Sequence, residues 1–352
     1  MRILAIETSC DETGLAIVEA KGGLNPPAGG PQFRVEKNMV ASQIKIHRPF
    51  GGVVPNLAKR EHIKNLPVLF KKLFSKGDLS KIDLVAVTVG PGLEPALWAG
   101  ITFAKEISKK YKKKLIGANH LEGHLYSFLL PSKSSTAFAS RILPQTVFPA
   151  IALIVSGGHT LLLHLESFSK WKLIGETRDD AVGEAFDKVA RLLDLPYPGG
   201  PEIEKLSAKG NSFAVTFPRP MLDQKNYDFS FSGLKTSVLY YLRDHQLTPK
   251  TSNLKADVAA GFEQAAVDVL VSKTKHAAEE YGAESILLSG GVAANKHLRK
   301  ALKRAAGLIG VKFFVADAKY NLDNAAMIGA AGYFAHLRKK KYPLRARGDM
   351  GI

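Results

Sequence analysis

The chain has 352 residues, 45% hydrophobic and 23% charged, ordinary globular material that is long for one core and sufficient for two. Lysine and arginine outnumber aspartate and glutamate 49 to 32, a net charge of +17, which suits a polyanionic partner such as nucleic acid and equally a generic basic surface. No run of about 18 apolar residues is present, the sequence opens directly into Arg2-Ile3-Leu4-Ala5-Ile6, and Cys10 is the single cysteine, so a reducing, cytoplasmic setting is expected, without membrane span, cleavable signal or disulfide framework.

Residues 3–7 read as a short apolar strand, 8–13 as a polar turn and 14–20 as a second apolar run, together a hairpin. Cys10 in that turn fits either a small residue in a tight loop or a reactive thiol. Residues 22–31, rich in glycine and proline, predict an exposed loop. Helical spacing runs over 55–74 despite Pro67, a buried strand over 84–89 ends in Gly90-Pro91-Gly92, and a helix follows over 94–109. A strand at 115–118 leads into a helix carrying His120 and His124. The serine-rich stretch 133–145 reads as a seam between lobes.

Beyond the seam, 151–155 is again an apolar strand, Ser156-Gly157-Gly158-His159 a tight turn and 160–165 a second strand, so the opening hairpin recurs. A repeated strand–turn–strand unit is the imprint of a duplicated fold. Helices over 183–193, 233–242 and 256–280, a strand over 285–288, and helices from 294 and 324 complete an α/β alternation with mostly covered sheets. The expected domains are 1–145, 146–325, and a final helix with basic tail, 326–352, returning towards the first. The positive excess concentrates at Lys109 to Lys114 and in the tail from Arg338 through Arg347.

His120 and His124 share a helix face, which fits a metal pair, a peptidase centre or a solvated helix. The zinc-peptidase pattern has glutamate directly after the first histidine, whereas Glu122 comes one position later. Asp323, at the start of a small-residue helix, is the candidate third ligand; an N-cap is its other reading. Two imidazoles and one carboxylate with open positions suit a catalytic zinc or ferrous ion. Ser156-Gly157-Gly158 can turn backbone N–H groups onto an anion, or simply close a hairpin. Ser289-Gly290-Gly291 leads into a helix whose amino end adds positive partial charge, where Asn295 fits a ligand contact or a cap. Asp179 and Asp180 suit the start of their own helix, Asp187 and Lys188 could face a ligand one turn in, and Tyr197-Pro198-Gly199-Gly200-Pro201 presents backbone.

With these motifs assembled, the sequence resembles the tRNA threonylcarbamoyladenosine transferase family, the TsaD proteins and their relatives. The likeness rests on Ile-Glu-Thr-Ser-Cys-Asp-Glu-Thr, Gly51-Gly52-Val53-Val54-Pro55, Gly90-Pro91-Gly92-Leu93, His-Leu-Glu-Gly-His, Val-Ser-Gly-Gly-His-Thr, Gly-Glu-Ala-Phe-Asp-Lys, Tyr-Pro-Gly-Gly-Pro, Phe-Ser-Phe-Ser-Gly-Leu-Lys-Thr, Ser-Gly-Gly-Val-Ala-Ala-Asn and Asp-Asn-Ala-Ala-Met, in that order over nearly the whole chain. It implies a two-lobed actin-like, Hsp70-like (ASKHA) α/β fold of duplicated ribonuclease H-like topology, with a nucleotide in the cleft. It implies transfer of a threonylcarbamoyl group from threonylcarbamoyl-AMP to N6 of the adenosine that follows the anticodon, in tRNAs reading codons that begin with A, with release of AMP.

Carried onto this chain, the resemblance makes His120, His124 and Asp323 ligands of one divalent metal, Fe2+ favoured over Zn2+. It makes Ile154, Val155, Ser156, Gly157 and Gly158 the substrate-holding turn, and Asp187, Gly200 and Asn295 adenylate contacts. Glu204 stands where many relatives have aspartate. Asp11 or Glu12 is the expected proton acceptor. The implied partners are tRNA, a non-catalytic TsaB-like paralogue, a small TsaE-like ATPase and an upstream synthase that makes the adenylate. The competing readings are an ATP-dependent kinase or an Hsp70-like ATPase of the same fold, with ATP or ADP in the cleft.

Overall fold

The computed structural model describes residues 1–24, 30–75, 79–131, 144–245 and 252–352. Much of the expected loop at 22–31 and most of the expected seam at 133–145 lie outside the described residues. Along the chain come β1 (Arg2–Glu7), β2 (Glu12–Lys21), β3 (Gln32–Ser42), α1 (Ile44–His47), α2 (Pro55–Leu73), β4 (Leu84–Gly90), α3 (Glu94–Tyr111), β5 (Lys114–Asn119) and α4 (His120–Tyr126). They are followed by β6 (Ala150–Val155), β7 (Thr160–Ser167), β8 (Lys170–Glu176), α5 (Val182–Leu192), α6 (Gly199–Ser207), α7 (Ser232–Asp244), α8 (Ser252–Glu280), β9 (Ser285–Ser289), α9 (Lys296–Leu308), β10 (Lys312–Val315) and α10 (Ala325–Leu337).

The chain divides into two compact units, Met1–Thr146 with Ala316–Ile352, and Val147–Val315. The first has a five-stranded sheet of order β3-β2-β1-β4-β5, the second one of order β10-β9-β6-β7-β8. In the first, β1, β2 and β3 pair antiparallel while β1, β4 and β5 pair parallel. In the second, β6, β7 and β8 pair antiparallel while β6, β9 and β10 pair parallel. Each unit thus repeats one topology, the duplicated α/β arrangement that the recurring hairpin predicts.

The central strands follow from their sequences. Ile3 to Ile6, Leu84 to Val89, Ala150 to Val155 and Ile286 to Leu288 are buried on both faces, as parallel strands covered by helices must be. The outer strands β3 and β8, which no apolar pattern announces, keep many side chains in solvent and carry charges such as Glu36, Lys37, Lys170 and Lys172. α6 also goes unannounced, because it starts on two glycines and a proline.

α10 is buried from Ala325 through Ala335, and a helix that is apolar all round belongs in a core. It packs on β1, β2, β5 and α4, with Phe334 stacked on Tyr126 at 3.7 Å between ring centroids. That packing sets the segment just before α10, which contains Asp323, beside α4.

Candidate functional site

In the first unit the candidate residues cluster at the carboxyl ends of the parallel strands β1 and β5, the usual location of sites in open α/β sheets. β5 ends on Asn119, whose side chain accepts the Leu121 and Glu122 N–H groups at 2.8 and 3.2 Å. This cap fixes the start of α4, so His120 and His124 project one turn apart, ring centroids 4.7 Å from each other. Asp323 Oδ1 lies 3.5 Å from His120 Nε2 and 3.1 Å from His124 Nε2. Asn324, not Asp323, caps α10 by accepting the Met327 N–H at 3.2 Å.

One ligand atom from each of His120, His124 and Asp323 lies within 4.8 Å of the others. His124 is fully buried, and neither of its ring nitrogens, the Nε2 that faces Asp323 included, has a hydrogen-bond partner of ordinary geometry among the described residues. A buried imidazole with an unsatisfied nitrogen is costly unless something else binds the ring. The donor set and this deficit fit a divalent ion.

Glu7, fully buried at the end of β1, backs the site. Its Oε1 accepts the Ser9 N–H at 2.5 Å, and its Oε2 accepts the Thr88 hydroxyl at 2.6 Å and lies 3.3 Å from His120 Nδ1. A carboxylate behind a ligating histidine fixes tautomer and ring orientation, here leaving Nε2 turned towards Asp323. Burial opposes a charge on His120, yet Asp323 and Glu7 overcome it and push the ring up to about 9; burial lowers His124 instead. The strand pattern gave Glu7 no role, although a carboxylate closing an otherwise apolar strand is a signal.

An entering cation must displace the His120 proton. We expect Zn2+ or Co2+ affinity to rise about tenfold per pH unit between about pH 6 and 8. The metal-free protein moves the opposite way, because the raised His120 stabilises it fully below about pH 6.5 and this contribution, on the order of 3 kcal/mol, is lost as pH climbs through about 9. Chelator competition and thermal unfolding, with and without metal, separate the two trends; a pH-independent affinity would contradict the assignment.

Glu122 faces elsewhere. It is fully buried and accepts from Arg338, from Tyr342 Oη at 2.5 Å and from Lys340 Nζ at 3.3 Å. A carboxylate so engaged is no general base at the imidazole pair, which closes the peptidase reading. Asn119 Nδ2 also donates to the Gly351 carbonyl at 2.7 Å, and the Arg347 N–H to the Val89 carbonyl at 2.9 Å. The segment 338–351 is thereby laced to α4 and β4, and part of the basic tail is neutralised internally.

The turn between β1 and β2 holds Asp11, 6% exposed, whose Oδ2 is buried without a hydrogen-bond partner among the described residues. Burial, then Asp11 and Asp323, raise the Glu12 carboxyl to about 10, so this acidic turn favours holding a proton at Glu12. Burial and the same carboxylates push the Cys10 thiol up, which favours the small-residue reading over a reactive thiol. His62 Nε2 donates to the Cys10 carbonyl at 3.0 Å, and its Nδ1 receives the Thr13 hydroxyl at 2.8 Å and Gln43 Nε2 at 3.3 Å. Gln43 Oε1 accepts from His47 Nε2 at 3.0 Å, and His47 Nδ1 accepts the Val54 N–H at 3.3 Å. This buried chain ties the Gly51 to Pro55 stretch to the Cys10–Asp11 turn.

In the second unit, Ser156 closes the β6–β7 hairpin, its N–H donating to the His159 carbonyl at 2.8 Å and its hydroxyl accepting the His159 N–H at 3.1 Å. The turn thus closes a hairpin, and the Ile154 and Val155 side chains are wholly within the core. Around the positions a Cβ would take at Gly157, Gly158 and Gly200 there is nothing within 4 Å. A Cβ at Gly183 would stand 2.5 Å from the Ser156 carbonyl oxygen, so the amino end of α5 abuts this turn and lends it positive partial charge. Gly290 has φ +91° and would place a Cβ 2.2 Å from the Val155 carbonyl oxygen, which brings the second glycine turn against the first.

Asp187 Oδ1 accepts the Gly199 N–H at 2.6 Å, fixing the start of α6 beside Gly200. Glu204 Oε1 accepts the Lys296 N–H at 3.0 Å, and Asn295 caps α9 through the Leu298 N–H at 2.8 Å. Asn295 Nδ2 donates to buried Glu263 at 2.6 Å, and Glu263 also receives the Ser207 hydroxyl at 2.6 Å. Glu263 and Ser207 thus set the Asn295 amide, which no local motif indicates. Asp179 and Asp180 depart from expectation: Asp179 accepts the Phe231 and Ser232 N–H groups at 2.8 and 3.2 Å at the start of α7. Asp180 pairs with Lys188 at 2.7 Å and Lys235 at 3.3 Å, so Lys188 is held within the protein. Among the described residues, no helix is long and apolar enough to cross a membrane.

The family described as "tRNA N6-adenosine threonylcarbamoyltransferase" matches residues 34–330. The protein of that name from Moorella thermoacetica is 48% identical over 344 residues, covering 97% of this chain and 94% of its own. Its Bacillus subtilis counterpart is 45% identical over 356 residues, covering 100% and 95%. Among solved structures, full-length HypF in a phosphate- and nucleotide-bound form is similar with TM-score 0.56 at 14% identity, over 98% of this chain and 47% of that one. HypF from T. kodakarensis gives TM-score 0.54 at 15% identity, over 97% and 49%. This chain spans about half of each HypF protein, a likeness of fold alone.

Proposed function

The chain belongs to the tRNA N6-adenosine threonylcarbamoyltransferase family, and from that membership we propose that it transfers a threonylcarbamoyl group from threonylcarbamoyl-AMP to tRNA. The acceptor is N6 of the adenosine that follows the anticodon in tRNAs reading codons that begin with A. The observation that supports this best is the convergence of His120, His124 and Asp323, with Glu7 behind His120.

The donor is a mixed anhydride and already activated, so transfer needs positioning, polarisation and removal of a proton, with no covalent enzyme intermediate. The N6 nitrogen bonds to the carbamoyl carbon, the bond from that carbon to the phosphate oxygen breaks, and AMP leaves. His120, His124 and Asp323 would hold one Fe2+ or Zn2+ ion, which would supply Lewis acidity when bound. Asp11 receives the N6 proton; Glu12, which favours holding a proton, donates a hydrogen bond instead. The Ser156–Gly158 turn and the start of α5 receive the adenylate phosphate, and Gly200 with Asn295 its nucleoside, while Asp187 and Glu204 hold the starts of α6 and α9 in place. A non-catalytic paralogue and a small ATPase are the proposed protein partners, with a synthase upstream supplying the adenylate.

The test is incubation with threonylcarbamoyl-AMP and unmodified tRNA, with and without those partners. The modified nucleoside and AMP should appear in equal amounts; neither appearing under any combination would end the proposal. In single turnover, Asp11→Asn should slow transfer about 10²- to 10⁴-fold and Glu12→Gln far less. A normal rate in the asparagine variant would dismiss Asp11 as the base.

A further inference from the structure

We propose that the exposed face of α9 is the surface on which the second unit receives the phosphate backbone of the RNA acceptor; this rests on the transfer function proposed above. α9 is amphipathic in an unusual way. Leu298, Leu302, Ala305 and Ala306 are buried, and its opposite side carries Lys296, Lys300, Lys303 and Arg304, all exposed. These four recur at i, i+4, i+7 and i+8, so they form one stripe. The helix contains no aspartate or glutamate.

Several basic residues elsewhere among the described residues are engaged. Lys188, Lys205, Lys235, Lys255 and Arg219 pair with carboxylates. In the basic run before β5, Lys113 donates to the Ser80 carbonyl at 2.7 Å and Lys110 sits over the Tyr111 ring. Arg338 and Lys340 are taken by Glu122. Lys300, Lys303 and Arg304 make no ion pair among the described residues. A like-charged stripe without counter-charges repels itself, a cost that a row of phosphates removes.

Position singles this stripe out. It begins at Lys296, whose N–H is held by Glu204 and which follows Asn295, so it runs outward from the proposed nucleoside contact. From Lys296 to Arg304 it spans about 12 Å at the helical rise, enough to meet successive phosphates of one strand. Such contacts set the register of a nucleic acid without reading its sequence, which suits an enzyme acting on several tRNAs through one target nucleoside.

The experiment uses full-length protein, with any partners the wild type needs for turnover. The triple variant K300Q/K303Q/R304Q should raise Kd and KM for unmodified tRNA at least about tenfold and lower the slope of log K against log salt by about 2 to 3. Its kcat at saturating tRNA and its affinity for an adenylate analogue should be unchanged. The control K339Q/K341Q/R345Q, in the tail, should leave the slope nearly unaltered. A wild-type slope in the α9 variant, or an equal loss in the tail variant, would overturn the proposal. If the wild type modifies no tRNA, the transferase reading fails; if it does and the α9 variant binds tRNA normally, only the surface assignment fails.

Discussion

His120→Ala should abolish metal retention and threonylcarbamoyl transfer together. Removing that ring leaves one imidazole and one carboxylate, too few protein donors for a tight zinc or ferrous site. It also strips Glu7 of a partner in a place with no water to replace it, since Glu7 is fully buried. We expect metal affinity to fall at least about a hundredfold and transfer about a thousandfold or more, the latter in line with loss of a Lewis acid worth several kcal/mol. Glu7→Gln is the graded counterpart: it keeps the shape, weakens the hold on His120 Nδ1, and should cost roughly 10- to 100-fold in metal affinity. Metal content after dialysis, chelator competition and nucleoside analysis check both variants. Full activity in a metal-free His120→Ala protein would refute the site.

The largest expected loss of stability comes from Glu122→Ala. The carboxylate is fully buried, and the Arg338 side chain opposite is only 10% exposed. Breaking one side of a buried pair leaves the other charge uncompensated, which typically costs 3–5 kcal/mol, and Tyr342 would lose its acceptor as well. For a protein of this size the unfolding midpoint should drop by about 4–7 °C. The double variant Glu122→Leu with Arg338→Met, which removes both charges and keeps apolar volume, should recover much of that. Calorimetry on the single and double variants decides it; an unshifted midpoint in Glu122→Ala would mean that Arg338 finds solvent or another partner.

The parts of the fold legible in sequence are those where a simple period meets complete burial. β1, β4, β6 and β9 read as apolar runs because helices cover both faces of their sheets. β3 and β8 are held by pairing with β2 and β7, and backbone pairing leaves no mark on side-chain pattern. The candidate pair His120 and His124 was legible for a similar reason, since the two share a helix turn.

The supporting residues were not. Glu7 reaches His120 across 113 positions of chain, and Glu263 reaches Asn295 across 32. Asp179 illustrates the same limit: local reasoning gives it to the next helix, whereas the amides it accepts lie 52 and 53 residues onward. Where adjacent residues compete for one task, as Asp323 and Asn324 do for the cap of α10, only geometry separates them.

The two sheets share one strand order, so their corners can be matched. The corner after β1 holds Asp11 and Glu12, while the corner after β6 holds Ser156, Gly157 and Gly158. The corresponding bend is therefore acidic in the first unit and built of a serine and two glycines in the second. Each bend is fitted to its own surroundings, the first by Gly14 against Ala325 and the second by Gly183 and Gly290 against Ser156 and Val155, so the shared ladder carries two corners that are not interchangeable.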